Sequence, residues 1–331
     1  MIIDMFTHIC PAKYKDAMRK HLPADDYRVG DKEYAPSLTD VDLRLEFMDV
    51  YGNDYVQVLT NQFFAEEIAD PKKSPELARI GNDAIAELIA RYPKRFIGGV
   101  ANLPMNNIEA ALKEMDRTVK NLGFKGIMIG SNINGKALDA PEFMPIYEKA
   151  AQYDVPIWIH PSRAPTFADY VTETESKYNL YAAIGWPYDM MSAIVRLVCS
   201  GVLDRHPNLK FYAHLTAGGI AYYADRLGSL LGLHKRTVPN SNVGKLAKSP
   251  VEYFRMIYSD TEMSYTTPAL ECTYAFFGAC RMVYSSGMPY GTAFGHSSIG
   301  ESINAVKRMN IGESDKQTIF EGNAKKLLHL Q

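Results

Sequence analysis

Three histidines stand where chemistry is expected. His8, His160 and His214 each close a short apolar run: IIDMFTH at residues 2–8, VPIWIH at 155–160 and LKFYAH at 209–214. Imidazole exchanges protons near neutral pH and is also the commonest metal ligand. One histidine at the end of a strand says little. Three at the ends of strands in a parallel α/β barrel would meet on one face, where such barrels keep their active sites. His21, His206, His234 and His329 fall in helices, loops or the tail and read as ordinary surface or core residues.

The elements that would carry these histidines are legible as an alternation. Apolar runs at 2–6, 55–59, 96–100, 126–129, 155–160, 209–213, 254–258 and 281–285 read as strands. Helical patterns lie between them at 13–21, 39–50, 75–92, 108–122, 141–153, 187–200, 220–233 and 267–278, with 302–309 and 314–328 closing the chain. The clearest, 75–92, places Leu77, Ile80, Ala84, Ile85, Leu88 and Ile89 at helical spacing. Strand–helix alternation implies a parallel sheet, and eight repeats favour a closed (β/α)8 TIM barrel over an open doubly wound sheet. A single domain over 1–331 is expected, with long polar loops at 22–40, 161–181 and 234–250. No G-x-G-x-x-G follows the first strand and no Walker loop is present, so dinucleotide and P-loop chemistry have no support.

Composition narrows the partners. The chain has 331 residues, 47% hydrophobic and 22% charged, with net charge −2, the profile of a globular protein with a large core. Without a long basic run it carries no electrostatic footprint for nucleic acid or an anionic membrane. Cys10, Cys199, Cys272 and Cys280 are scattered and form no CxxC pair, which favours a reducing compartment over a disulfide framework. With no signal peptide and no run of transmembrane length, a cytoplasmic protein is expected.

Three segments carry a family resemblance: residues 3–11 (IDMFTHICP), 155–161 (VPIWIHP) and 185–227, where a helix, a strand, His214 and a glycine pair follow in order. The closing EGNAKKLL fits as well. On these residues the chain resembles the amidohydrolase-related enzymes of the aminocarboxymuconate-semialdehyde and resorcylate decarboxylase type. The resemblance spans essentially the whole chain. It implies one amidohydrolase-like barrel, assembled as a homodimer or homotetramer, acting on a small-molecule carboxylate.

The resemblance also implies one divalent ion, usually zinc or manganese. Its ligands would be a His-x-His or Glu-x-His pair on strand one, a histidine ending strand five and an aspartate ending strand eight, with a further histidine after strand six handling protons. Here the strand-five ligand is His160, the strand-six histidine is His214 and the second member of the strand-one pair is His8. The first member is Phe6 and the aspartate position is Gly287, and neither offers a donor. Asp4, Cys10, Asp260, Glu262 and His296 lie near enough in sequence to be asked whether they rebuild the site. Each also has an ordinary reading: Cys10 as a small buried hydrophobe, Asp260 as a helix cap, His296 as a loop residue. With two ligand positions lost, no cofactor is favoured. Zinc or manganese enters only if His8, His160 and His214 rebuild the site.

Loss of the ion leaves decarboxylation open, because that reaction needs a proton delivered to carbon and an electron sink, which a phenol-type substrate supplies itself. His214 is then the expected acid or base, with His8 and His160 donating hydrogen bonds to a carboxylate or phenolate, and Asp260 orienting one of them. Mutual repulsion among three imidazoles should lower their pKa values. Arg163, just past His160, suits bidentate capture of a carboxylate. Phe6, Trp186, Tyr188, Tyr290 and Phe294, with His296, are the expected substrate-binding wall, while Trp158 reads as core. The expected activity is a carbon–carbon lyase step, probed against two rivals: hydrolysis of a lactone or amide, and a lapsed barrel that only binds a small molecule.

Overall fold

The strand-forming runs are buried almost from end to end, and mostly apolar, because both of their faces are covered, one by the barrel interior and one by the surrounding helices. A computed structural model of the protein describes residues 1–24, 26, 28–29, 35–262, 266–290 and 296–330. Among the described residues, eight strands make the main sheet, in chain order β1 (Ile2–His8), β2 (Tyr55–Thr60), β3 (Phe96–Asn102), β4 (Gly126–Gly130), β5 (Ile157–His160), β6 (Phe211–Ala213), β7 (Tyr258–Asp260) and β8 (Met282–Val283), with a separate small hairpin at Asn132–Ile133 and Lys136–Ala137. Each strand of the main sheet pairs in parallel with the next. The Met5 N–H donates to the Tyr284 carbonyl at 3.0 Å and brings β1 against the end of β8, so the sheet curls into a nearly closed barrel. This is the TIM-barrel architecture.

Period-two alternation along the strands sorts the side chains. Ile157 and Ile159 of β5 join the large core between sheet and helices. Trp158 points the other way, into a second cluster with Met5, Phe6, Val58, Val100, Met128 and Tyr212. His160, two residues on, shares the side of Trp158. Trp158 is fully buried, with its indole N–H donating to the Met5 carbonyl at 3.0 Å, so it is a core residue.

Several boundaries differ from expectation. The run at 254–258 is not a strand: Pro250–Phe254 is a helix, and β7 starts only at Tyr258. Ser249 opens that helix with a capping box, its hydroxyl receiving the Glu252 N–H and its own N–H donating to the Glu252 carboxylate at 2.9 Å. The helix Ile220–Thr237 takes over the start of the loop expected at 234–250. The last helix pattern is three pieces, Glu313–Gln317, a wide turn at Thr318–Gly322 and Asn323–Leu328. Residues 161–179 hold no strand or helix. Part of the loop at 22–40 lies outside the described residues. Among the described residues no helix is long and apolar enough to cross a membrane.

Candidate active site

The three strand-end histidines meet. His8 ends β1, His160 ends β5 and His214 directly follows β6. All are buried, and one nitrogen from each lies within 4.8 Å of the others. Ring centroids are 5.2 Å apart for His8–His160, 5.5 Å for His160–His214 and 5.7 Å for His8–His214.

Each imidazole is held through one nitrogen. His160 Nδ1 donates to the Pro161 carbonyl at 2.7 Å. His8 Nδ1 faces the Thr60 hydroxyl at 3.4 Å. His214 Nδ1 donates to the Asp260 carboxylate. Fixing one nitrogen sets the tautomer and aims the other. Asp260, fully buried at the end of β7, also receives the Thr216 N–H at 2.8 Å. That bond is made from an unusual backbone: Leu215, Thr216 and Ala217 all have positive φ, at 55°, 48° and 56°. Three successive left-handed non-glycine residues are costly and persist where the surroundings fix them.

The histidines divide electrostatically. Burial pushes His8 well below the usual imidazole value, with His160 and His214 adding to the shift. Burial, then His214, pushes His160 down to about 3. The expected mutual depression therefore holds for these two and fails for His214. There burial also opposes the charged form, but Asp260, then Glu262 and Asp4, outweigh it and hold the group above the usual value. Two neutral imidazoles thus face one that favours its proton.

A cavity of about 720 Å³ opens over them, with Arg163, Trp186, Tyr290, Phe63, Phe64, Lys15 and Arg28 among its lining. Arg163 spans the mouth, its guanidinium 5.3 Å from the Phe167 ring and its carbonyl accepting the Trp186 indole N–H at 3.1 Å. The Tyr290 ring lies 5.5 Å from His8, and its hydroxyl accepts from Gln62. Phe6 is not on the cavity wall as expected. It is fully buried as a floor beneath the cluster, stacked 4.1 Å from the His214 ring and 5.3 Å from that of His8. Tyr188 does not reach the cavity. Two residues along the helix Trp186–Cys199 is about 200° of rotation, so Trp186 turns inward and Tyr188 is 59% exposed. Phe294 lies outside the described residues, as does the side chain of His296, whose backbone starts the helix His296–Lys307.

Sequence reasoning did not assign Lys15, Arg28, Gln62 or Phe64 to the site. They come from the segments after β1 and β2, and only the barrel brings them over the histidines. Glu262, one of the residues that the sequence offers as a replacement ligand, lines the cavity, its Oε2 4.0 Å from His214 Nε2.

The residues fit a divalent cation. Three buried imidazole nitrogens converge, each ring is held at its far nitrogen, and a carboxylate stands beside them. Histidine nitrogen with a carboxylate oxygen is a donor set for zinc or manganese. The expectation that no cofactor is favoured, drawn from Phe6 and Gly287, is therefore not supported: donors absent from those positions are present in space.

Fold and site define the class. A family model described as amidohydrolase matches residues 3–330, and the chain belongs to that family. It is 28% identical over 339 residues to the gamma-resorcylate decarboxylase of Polaromonas sp. (strain JS666), covering 96% of this chain and 98% of that one. The crystal structure of 5-carboxyvanillate decarboxylase from Sphingomonas paucimobilis superposes with a TM-score of 0.86 at 25% identity, over 100% of this chain and 99% of that one. A dihydroxybenzoic acid decarboxylase from Polaromonas, solved with bound manganese and 2-nitroresorcinol, shares the fold with a TM-score of 0.77 at 24% identity, over 99% and 96% of the two chains.

Proposed function

We propose that the chain is a non-oxidative decarboxylase of a small hydroxyaromatic or conjugated carboxylate. The observation that carries this reading is the His214–Asp260 pair set beside His8 and His160 at the closed end of a cavity wide enough for a ring. The relatives above, all decarboxylases by description, support the same reaction class.

His214 delivers its Nε2 proton to the ring carbon that bears the carboxylate. The bond from that carbon to the carboxylate then breaks, its electron pair returns to the ring, and carbon dioxide leaves. Asp260 keeps the imidazolium charged and oriented before transfer, and solvent restores the proton afterwards. Phe6 presses on the His214 ring from below and restricts its tilt. Arg163, at the mouth, pairs with an anionic group on the substrate. Trp186 and Tyr290 flank the flat ring. His8 and His160 would hold a divalent cation, which when bound supplies positive charge to the substrate's carboxylate and phenolate oxygens.

We further propose a homodimer or homotetramer in a reducing, cytoplasmic setting. No disulfide joins the four cysteines, and exposed Tyr170, Val171, Tyr178 and Tyr222 offer apolar surface for a second copy to cover. The functional test is carbon dioxide release from gamma-resorcylate and a panel of other hydroxybenzoates, with manganese or zinc supplied. Turnover of at least one member is expected. No release from any of them would sink the decarboxylase reading, and release of an alcohol or amine from a lactone or amide panel would replace it with hydrolysis.

A further inference from the structure

Two demands compete for His214. A catalytic cation site of the zinc type takes three protein ligands and leaves a position open for substrate. His8, His160 and His214 would satisfy that count, but a metal-bound His214 Nε2 could not carry the proton the reaction needs. We infer that the third ligand is Glu262, so that the cation is held by His8, His160 and the Glu262 carboxylate while His214 and Asp260 stay free for proton transfer. The need to free His214 rests on the decarboxylase reading; the placement of Glu262 does not.

That placement is built into the barrel. Thr261 clamps the end of β7 to the chain leaving β8: its hydroxyl donates to the Ser285 carbonyl at 3.0 Å and accepts the Ser285 N–H at 3.0 Å. The next residue is Glu262, whose N–H points to Asp260 Oδ1 at 3.3 Å. Its side chain then lies in the same cavity as the three histidines, Oε2 4.0 Å from His214 Nε2. Opposite it, Gly287 leaves the required room. A Cβ on residue 287 would stand 2.9 Å from Glu262 Cγ, inside van der Waals contact, and in ordinary contact with Oε1 at 3.6 Å, and the backbone there has φ +65°. The bare backbone after β8 and the carboxylate after β7 are thus one feature: the glycine gives its side-chain volume to Glu262. In this structure the converging donors are the three histidine nitrogens; with the Glu262 carboxylate turned toward His8 and His160, two imidazoles and a carboxylate would make a His2Glu set with one negative charge, suited to a divalent ion of the zinc or manganese type.

The test is cation affinity, read without turnover. Full-length protein is stripped with a chelator and titrated with Mn²⁺, free Mn²⁺ being followed by electron paramagnetic resonance. Wild type, Glu262→Gln, Glu262→Asp and His214→Gln are compared after circular dichroism shows the same fold. The expected result is a loss of at least tenfold for Glu262→Gln, a smaller loss for Glu262→Asp, which keeps the charge, and less than a tenfold loss for His214→Gln. A loss below tenfold for Glu262→Gln overturns the assignment. So does a loss for His214→Gln as large as that for Glu262→Gln, or a wild type that takes up no Mn²⁺. The two readings fail separately. If Glu262→Gln loses Mn²⁺ but the wild type decarboxylates nothing, the ligand assignment stands and the decarboxylase reading falls. If the wild type releases carbon dioxide and Glu262→Gln binds Mn²⁺ normally, the reverse holds.

Discussion

Strand β1 carries two buried polar clusters, one built around Asp4 and one around His8, and they resolve their polarity in opposite ways. Around Asp4 the groups close on one another. Asp4 accepts the Tyr55 hydroxyl at 2.5 Å and the Ser286 N–H at 3.1 Å. Gln57 donates to the Tyr55 oxygen at 3.0 Å, and Arg44 donates to Gln57 Oε1 at 2.7 Å and to the His8 carbonyl at 2.7 Å. The one loose end in this network among the described residues is Arg44 Nη2. Around His8 the opposite holds: each of three imidazoles spends one nitrogen on the protein and turns the other toward the cavity. Buried polar groups are normally satisfied. Where several share an unspent valence pointing into one space, that space is made for a ligand. The first cluster is scaffold and the second is site, and they meet at the His8 backbone.

This contrast breaks most readily at His214. Replacing it with Asn keeps a polar side chain but removes the transferable proton. Carbon dioxide release should fall by about 10²- to 10⁴-fold with little change in urea midpoint. Equal activity in His214→Asn and wild type would place the acid elsewhere. Arg44→Met should do the converse. It leaves Gln57 Oε1 and the His8 carbonyl without their charged donor inside the barrel, and stability should drop by roughly 3 kcal/mol in urea unfolding. A stable Arg44→Met protein with lost turnover would show that the scaffold cluster takes part in the chemistry.

The sequence announces the site more fully than it announces the scaffold. His8, His160 and His214 are legible because each ends an apolar run, and strand ends of a parallel barrel converge whatever the intervening helices do. Asp260 is legible for the same reason. The exchange between Gly287 and Glu262 is not, because it is a matter of volume shared by the ends of different strands. A ligand list read position by position finds only the gap at Gly287. Arg44 is equally silent: it lies in a polar helix pattern, and nothing local says that its guanidinium runs under β1 to reach Gln57. The helix at Pro250–Phe254 is a different kind of miss. Its Ser-x-x-Glu signature stands in the sequence at 249–252, but the apolar residues after it imitate a strand. Phe6 shows the limit of register reasoning, which gives the side of the strand but not the depth, so a wall residue becomes a floor.

A third measurement sharpens the scaffold half of the comparison. Burial, opposed by the bonds from Ser286 and Tyr55, pushes Asp4 up to about 6 from 3.8. The sign follows from linkage. A carboxyl whose folded value is raised binds its proton more tightly when folded, so its favourable contribution is complete below the unfolded value and is lost as pH rises through the folded one. Relative to Asp4→Asn, which does not titrate, the wild type should lose roughly 2 to 3 kcal/mol between about pH 4 and pH 7. Urea unfolding of both proteins at the two pH values checks this. A gap that stays constant would mean that the Asp4 network is better hydrated than its burial implies.

The smallest effect tests whether the two clusters are separable at all, because Ser286, which serves Asp4, is the neighbour of Gly287, which makes room for Glu262. Gly287→Ala adds one methyl group. At φ +65° a Cβ costs about 1 to 2 kcal/mol, and this one would press on Glu262 Cγ from 2.9 Å. The long Glu262 side chain can swing away, so a modest loss of stability and a clear weakening of Mn²⁺ binding should appear together. The pH dependence assigned to Asp4 should not move, since the Ser286 side chain and N–H that hold Asp4 both belong to the residue before the new methyl group. If Gly287→Ala shifts the Asp4 profile as well as the Mn²⁺ affinity, the turn after β8 transmits strain to both clusters, and scaffold and site are one mechanical unit.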